Sequence, residues 1–473
     1  MKYLIHLIIL TSFTFSAFAY QMGDFVKDIT FKDLVFNFPN IAVTKATDGT
    51  ELLSLTNKDF PIVFAEFQVY YGRKNIGNGN TEITRLLKDS WEFSGSKAYP
   101  KDSLLQEFEK LGATFSLSID YDKTTISMSY LKKDEARIVE LFRSFWIESN
   151  LDNEVIETMR SRIADEIKRR NDNPTSLGMR KIKERVFDGT ILGKVSSLSG
   201  LESITRDQLI QFQSEIVSEK KRILLLTGDA EPETWKKYIT GITIANADQM
   251  KAEEVLTESL VNNLSRIKGK HVLVEKEVSQ AFVVMMGALP RHNDPDFYAI
   301  QVLNYMIGGG GFNSYYMREI RNNRGLAYSA GSQTDFQKGY GTIHFYAMTK
   351  AESTVEVLGL MKDLIKEDFI AKLQQAELKR AQIAITNQFV FLFSDSKKVL
   401  QNDLRFREHE MSPDYLIHFR ENIEKVTLED LVRVGKKYFN PQGLSVLVVG
   451  PKSLKESLGV QFQIIQPEEN ASK

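Results

Sequence analysis

The chain has 473 residues, of which 42% are hydrophobic and 26% charged, so it can bury a normal globular core and is long for a single domain. Its 61 lysines and arginines nearly balance its 62 aspartates and glutamates, which argues against a nucleic-acid-binding protein, because that class needs a clustered excess of positive charge. The chain contains no cysteine, which excludes disulfides, thiolate metal sites, lipid attachment at an N-terminal cysteine and cysteine nucleophiles.

Residues 1–19 have the pattern of a signal peptide. One lysine precedes an apolar stretch from Tyr3 to Phe18, and Ala17 and Ala19 are the small residues that signal peptidase accepts before a cut. A membrane anchor is the alternative, but about 16 apolar residues interrupted by His6 are few for a bilayer span. We therefore predict an exported chain, in the periplasm or outside the cell, with no membrane attachment after cleavage.

The first half of the mature chain alternates helices with short strands. Ser103 to Gly112 predicts a helix that ends at a glycine, and the stretch from Thr114 to Tyr130 alternates as two strands. Glu135 to Trp146 predicts the next helix. Thr205 then has the position of an N-cap before an amphipathic helix, and the apolar run Arg222 to Gly228 predicts a buried strand.

The second half repeats this order. It is expected to contain a helix followed by Gly325, two strands and another helix, at residues 315–324, 327–333, 341–348 and 353–365. Thr427 and the run Leu444 to Gly450 repeat Thr205 and Arg222 to Gly228 at an offset of 222 residues. The fold class predicted from these patterns is α+β, with two homologous lobes that each pack an antiparallel sheet against helices.

These patterns also set the expected boundaries along the chain. A polar stretch rich in Asn, Asp, Gln, Lys and Glu separates the two halves and is typical of a linker. The predicted segments are a signal peptide, an N-terminal lobe, a linker, a C-terminal lobe and a tail, at residues 1–19, 20–239, 240–268, 269–460 and 461–473.

Known catalytic motifs are absent from the sequence. A helical zinc site needs two histidines close in sequence, with a glutamate to activate water. After removal of His6, no two of the remaining histidines stand three to five residues apart; these are His271, His292, His344, His409 and His418. The run Gly308 to Gly311 lacks the Lys-Ser/Thr of a phosphate loop and is interpreted as a turn or a close backbone approach between helices.

Three segments nevertheless carry a family pattern. Asp48 to Gly72 has the pattern of an opening hairpin, Asp152 to Pro174 that of a long helix, and Ile307 to Ser329 that of a glycine-rich turn leading into a helix and strand. In these segments, and over about 40–455, the chain resembles the insulinase/pitrilysin family, including the subunits of mitochondrial processing peptidase. The resemblance implies that each lobe consists of two similar α+β units, and that the lobes pair into a clamshell or half-clamshell.

The resemblance also implies that this chain has lost the zinc site of its family. Active members carry His-x-x-Glu-His on a helix before a Phe-x-Gly-(Thr/Ser) turn, and that turn is Phe93 to Ser96 here. Counting back, Leu86 and Ser90 replace the histidines, Asp89 replaces the glutamate base, and Glu157 matches the third ligand. One carboxylate does not make a zinc site, which takes three protein ligands and a water. We therefore expect no metal or other cofactor on this chain.

Two residues of the second lobe match catalytic positions of the family. Active members have an arginine, and a tyrosine seven residues later, that reach the substrate backbone near the zinc; Arg321 and Tyr328 match them. Arginine supplies a fixed cation, and a tyrosine hydroxyl can donate to a carbonyl oxygen that gains negative charge. Without the resemblance, the residues favour a structural interpretation, in which Arg321 pairs at a helix end and Tyr328 packs in a strand.

The sequence therefore predicts the non-zinc subunit of an exported heterodimeric peptidase. A zinc-bearing partner of the same family is expected to hold the metal, and unfolded peptides are expected to bind by adding a strand to a sheet edge. One alternative is a catalytically inert peptide-binding or scaffold protein of the same fold. Another is a zinc enzyme with an unrecognised ligand set, such as Glu157 with a distant histidine.

Overall fold

Each half of the chain builds one six-stranded sheet. The computed structural model describes residues 38–77, 79–239, 256–412 and 414–467, so the predicted signal peptide lies outside the described residues. The strands of the first half are β1 Ala42–Lys45, β2 Glu51–Thr56, β3 Ile62–Val69, β4 Thr114–Ile119, β5 Thr124–Leu131 and β6 Arg222–Gly228. Those of the second half are β7 His271–Glu275, β8 Gln280–Leu289, β9 Ala327–Phe336, β10 Gly341–Lys350, β11 Ser445–Gly450 and β12 Phe462–Ile465.

Helices flank both sheets. The described α-helices of the first half are α1 Glu82–Ser94, α2 Ser103–Lys110, α3 Glu135–Ile147, α4 Asn153–Arg169, α5 Pro174–Val186, α6 Leu198–Glu202, α7 Arg206–Ser218 and α8 Pro232–Ile239. Those of the second half are α9 Leu256–Arg266, α10 Phe297–Asn304, α11 Thr354–Asp363, α12 Glu367–Ile370, α13 Gln375–Phe389, α14 Ser396–Glu408, α15 Tyr415–Glu424, α16 Leu428–Tyr438 and α17 Leu454–Leu458. The predicted α+β class with two lobes is confirmed. No helix of the described ranges is long and apolar enough to cross a membrane.

Both sheets are mixed, which corrects the prediction of antiparallel sheets. The strand orders are β1-β2-β6-β3-β5-β4 and β12-β7-β11-β8-β10-β9. β2 runs parallel to β6, and β7 runs parallel to both β11 and β12. Each half ends with a strand that returns to the sheet after a long helical connection, which permits parallel pairing. The apolar runs of β6 and β11 are consistent with strands that are buried on both faces.

The strand order of the sheets corrects two expectations taken from the family resemblance. The segment from Asp48 to Gly72 does not form one hairpin, because β6 lies between β2 and β3; the local hairpin is β1–β2. Each lobe contains a single six-stranded sheet rather than two α+β units. The two similar α+β units are therefore the two halves of the chain.

The two halves exchange a helix. Helix α5, from the first half, packs on β8 and β11 of the second sheet, and helix α14, from the second half, packs on β2 and β6 of the first sheet. Leu400 and Leu404 of α14 lie in one apolar cluster with Leu53, Ile223 and Leu225 of the first sheet. The two helices begin at Pro174 and Ser396, 222 positions apart, which is the offset of the sequence repeat. The exchange is therefore part of the repeated unit.

The exchange requires a glycine at one contact. A Cβ on Gly178 in α5 would lie 2.5 Å from the Phe282 ring and 3.1 Å from a methyl of Val449. We expect Gly178→Ala to destabilise the protein by about 1–3 kcal/mol despite the better helix propensity of alanine, because Phe282 is buried and cannot give way. Urea unfolding followed by circular dichroism measures this change.

A matched variant lies in α11. Gly359 has nothing within 4 Å of the position that a Cβ would take. Gly359→Ala is therefore expected to stabilise the protein by about 0.5–1 kcal/mol. Equal effects of the two variants would contradict the close packing of α5 on the second sheet.

Two predicted boundary segments contain regular structure. Part of the predicted linker, residues 240–255, lies outside the described residues, whereas α9 occupies much of the remainder. Leu256, Leu260 and Leu264 of this helix are buried; their spacing is that of one helix face. The predicted tail begins with β12, which pairs with β7 at the edge of the second sheet. Apolar residues within these polar stretches therefore complete the second lobe.

Candidate functional site

Helix α1 carries the positions that match the zinc motif, and packing holds it against the core. The side chains of Leu86 and Ser90 are both fully buried, and Ser90 Oγ has no hydrogen-bond partner among the described residues. The neighbouring Trp91 ring stacks on Phe145 at 5.2 Å and on Trp146 at 5.4 Å between ring centroids. This helix therefore has an aromatic support that needs no metal ion.

An ion-pair cluster of partly buried side chains also lies on α1. The ammonium of Lys88 lies 3.1 Å from Asp89 and 2.7 Å from Glu92. Burial by itself lowers the pKa of Lys88, but hydrogen bonds to the two carboxylates outweigh it and raise that pKa above its usual value. Asp89, at the position of the family's general base, is therefore paired with a cation that stays charged at neutral pH.

Glu157, which matches the family's third zinc ligand, forms an ion pair with an arginine. The Glu157 side chain is 67% exposed and its carboxylate lies 3.2 Å from Arg160 Nε. No group of three or more His, Cys, Asp or Glu side chains in the described ranges is placed to hold a metal ion. A buried leucine, a buried serine and a lysine-paired aspartate lack the nitrogen donors of a family zinc site. The residues present do not fit zinc.

Arg321 and Tyr328 both lie at the surface of the second lobe. Arg321 belongs to a short π-helix, Met317–Asn322, and Tyr328 is the second residue of β9. Within the described part of the chain, the Arg321 guanidinium makes no ion pair, and it lies 5.3 Å from the ring centroid of Phe312. The Tyr328 side chain is 73% exposed. Without the family resemblance, Arg321 was expected to pair at a helix end and Tyr328 to pack within a strand. In the described ranges, Arg321 makes no ion pair and the Tyr328 side chain is not packed.

The backbone between these residues turns sharply. Arg321 O accepts a hydrogen bond of 2.9 Å from Gly325 N, and Gly325 has a φ of +66°, which favours glycine. A second π-helix, Tyr305–Gly309, precedes Phe312. Such segments are rare and are frequent at functional sites.

The glycine run makes the predicted close backbone approach, although its partner is a strand. A Cβ on Gly308 would lie 2.5 Å from the main-chain nitrogen of Ser332 in β9. A side chain at this position would push the π-helix away from the sheet. Phe312, which directly follows the run and is 69% exposed, was not identified from the sequence. A large aromatic residue among glycine, asparagine and serine was the available signal.

The described sheets have four edge strands, β1 and β4 in the first sheet and β12 and β9 in the second. The middle of β9 lies against Gly308, so that part of its edge is approached by the π-helix. At β4, the backbone nitrogen of Leu117 donates to Glu92 Oε1 over 3.4 Å. That bond is long and weak.

Two family profiles match the sequence. One, described as "Insulinase (Peptidase family M16)", matches residues 87–196, and one described as "Peptidase M16 inactive domain" matches residues 203–385. Together the two matches span more than half of the chain, including α1 from Leu87 onward and the segment with Arg321 and Tyr328.

Similar proteins differ in what their names say about activity. An "uncharacterized zinc protease" of Rickettsia bellii is 22% identical over 428 residues, which cover 88% of this chain and 98% of that protein. A "non-peptidase homolog", YmxG of Helicobacter pylori, is 23% identical over 292 residues and covers 61% of this chain and 66% of that protein.

Solved structures share the fold. A peptidase M16 inactive domain from Pseudomonas fluorescens has a TM-score of 0.72 at 19% identity, and the match covers 88% of this chain and 99% of that one. The periplasmic protease PqqL from Escherichia coli has a TM-score of 0.70 at 14% identity, with 90% of this chain matching 47% of that chain.

Proposed function

This chain belongs to the insulinase family, peptidase family M16, and from that premise we propose that it is the non-zinc subunit of an exported heterodimeric peptidase. A partner of the same family supplies the metal and the general base. This chain supplies Arg321, Tyr328 and one wall of the peptide-binding chamber. Its substrates are unfolded peptides, which bind through their backbone as an added strand.

The proposal rests on two features taken together. The motif positions do not fit zinc, and Arg321 and Tyr328, which match catalytic positions of the family, lie at the surface of the second lobe. Leu86 and Ser90 are buried and lack nitrogen donors, so the positions that match the zinc motif offer no metal with which to activate water. Tyr328 is 73% exposed, and the half-buried Arg321 makes no ion pair in the described ranges and lies near the Phe312 ring. A fixed cation and a hydroxyl donor suit a peptide carbonyl oxygen that becomes negatively charged.

Two observations support export. Residues 1–19 have the signal-peptide pattern, and PqqL, which shares the fold, is described as a periplasmic protease. The absence of cysteine is compatible with an oxidising compartment.

A second function in this fold is a catalytically inert peptide-binding or scaffold protein. The relative named a non-peptidase homolog favours it. The two functions differ in one respect: a scaffold binds a partner or peptide without changing the turnover of a zinc subunit.

Metal content is the first test. The purified mature chain, prepared without a metal-affinity tag or chelator, is expected to contain less than ~0.1 equivalent of zinc, because it lacks three ligands. Inductively coupled plasma mass spectrometry measures this, with a zinc-bearing family enzyme purified in the same buffer as control. A full equivalent that survives dialysis would show that the chain builds a zinc site of its own.

Assembly is the second step. Co-expression with the zinc-bearing family members of the source organism is expected to yield a one-to-one complex that hydrolyses unfolded peptides, while each subunit alone does not. If every zinc-bearing member elutes separately and its turnover is unaffected by this chain, the subunit function fails and the scaffold function stands.

A further inference from the structure

Two histidines from distant parts of the sequence meet in the second lobe. His292 Nδ1 lies 2.7 Å from His409 Nδ1, and the side chain of His292 is only 5% exposed. One ring must donate its proton to the other, so the pair keeps one ring N–H for a further partner. Burial lowers the pKa of His292 to about 3, with His409 and Arg405 adding to it. The pair is therefore neutral at physiological pH.

The pair forms part of the wall of a cleft lined by aromatic rings. The cleft has a volume of about 380 Å³, within the range of small-molecule sites. Its rings come from β9, α10, α13, α14 and α15, and they are Phe297, Phe336, Phe389, Phe406, Tyr415 and Phe419. Phe389 and Phe419 stack in parallel with their centroids 3.9 Å apart.

Two charged side chains line the cleft, Arg405 and Asp335. Arg405 lies at the α14 side, where it acts electrostatically on both histidines and on Tyr415. Within the described ranges it makes no ion pair, and its guanidinium lies 5.4 Å from the Phe406 ring centroid. Asp335 also lines the cleft, and its carboxylate accepts a hydrogen bond of 2.7 Å from Gln337.

From this arrangement we infer that the cleft binds an aromatic group that carries a carboxylate. The ligand's ring stacks among Phe389, Phe406 and Phe419, and its carboxylate meets the Arg405 guanidinium and the free N–H of the histidine pair. Arginine and carboxylate form strong, charge-assisted hydrogen bonds, and aromatic rings gain from offset stacking. Two sources offer this chemistry, a free aryl-alkanoic acid and the C-terminal residue of a peptide. The inference does not depend on the subunit function proposed above.

Isothermal titration calorimetry with the full mature chain tests the site. The probes are 3-phenylpropanoate for the free acid and N-acetyl-glycyl-phenylalanine for the peptide terminus. Their amides, which keep the ring and lose the charge, are the ligand controls. At least one acid is expected to bind, and its amide to bind about ten-fold more weakly or worse, because a charged hydrogen bond is lost. Binding of one acid alone identifies the source.

Two variants locate the binding. Arg405→Gln is expected to weaken binding about ten-fold or more, and Arg405 is exposed, so the fold is preserved. Arg407→Gln is the matched control, because Arg407 lies on the same helix, pairs with Asp403 and is not a lining residue. Ile385→Trp fills the cleft and is expected to abolish binding while its thermal unfolding remains cooperative. No binding of either acid at millimolar concentration, or equal binding by wild type and Arg405→Gln, would overturn the inference.

Discussion

Replacing Arg321 by alanine is expected to lower the peptide turnover of the assembled two-subunit enzyme by about 100-fold, as removal of one donor to a developing oxyanion does. The guanidinium rests near the Phe312 ring and has no carboxylate partner within the described residues, so its loss should cost little stability. The effect is expected in kcat with little change in KM, because the contact strengthens only as the carbonyl oxygen gains charge. Steady-state hydrolysis of an unfolded peptide measures both constants.

Tyr328→Phe separates the hydroxyl from the ring. The side chain is 73% exposed, so the change removes one hydroxyl donor and leaves the packing of β9 intact. A fall in kcat of about 10-fold to 100-fold is expected if the hydroxyl donates to the same oxygen.

Arg324→Ala is the matched control for both variants. Arg324 is exposed, lies three residues beyond Arg321 and precedes the turn at Gly325. Arg324→Ala removes one positive charge from the same surface, as Arg321→Ala does, and is expected to leave turnover unchanged. If Arg321→Ala leaves turnover in an assembled complex unchanged, as Arg324→Ala is expected to, the assigned role of Arg321 is wrong. An equal loss in both variants would instead indicate a general effect of positive charge and would also contradict that role.

Replacing Trp91 by alanine is expected to destabilise the protein by about 3–5 kcal/mol, because a fully buried aromatic side chain leaves a cavity that its neighbours cannot fill. Trp91 stacks on both Phe145 and Trp146, and its Nε1 donates to the carbonyl oxygen of Phe145 over 3.4 Å. The free energy of unfolding from urea titration, followed by far-ultraviolet circular dichroism, measures the change.

The control for Trp91 is an exposed aromatic residue. Phe312→Ala removes a ring that is 69% exposed, and its effect on the free energy of unfolding should stay within about 0.5 kcal/mol. A chelator is expected to change neither value, because packing rather than metal holds α1. If Trp91→Ala lowered the free energy of unfolding by less than ~1 kcal/mol, the aromatic packing would not be what holds α1 in place.

Local patterns in the sequence determined the repeated elements of this protein. Thr205 forms a capping box with Gln208, and Thr427 forms one with Asp430. Each of these helix starts is therefore specified by four consecutive residues. The alternation from Thr114 to Tyr130 gave β4 and β5, and the spacing of the histidines excluded a helical zinc motif. Each of these features depends on residues that are neighbours along the chain.

Other features depended on surfaces that meet only in the folded chain. The insertion of β6 between β2 and β3 made the first sheet mixed, and the pairing of β7 with β11 and β12 made the second sheet mixed. The expected long helix ended at Arg169, before α5 begins at Pro174. The contact between His292 and His409 joins residues 117 positions apart. No local pattern specifies such pairs.

The exchange of α5 and α14 between the lobes has the same physical basis. An amphipathic pattern determines which face of a helix leaves water, but hydrophobic burial is non-directional and does not select the surface that covers it. In the folded chain, Leu400 and Leu404 are covered by Leu53 and Leu225 of the first sheet, which lie far from them in sequence. The sequence by itself thus determined the repeat, its caps and the loss of the zinc ligands, whereas tertiary packing decided the strand order, the exchange and the exposure of Tyr328.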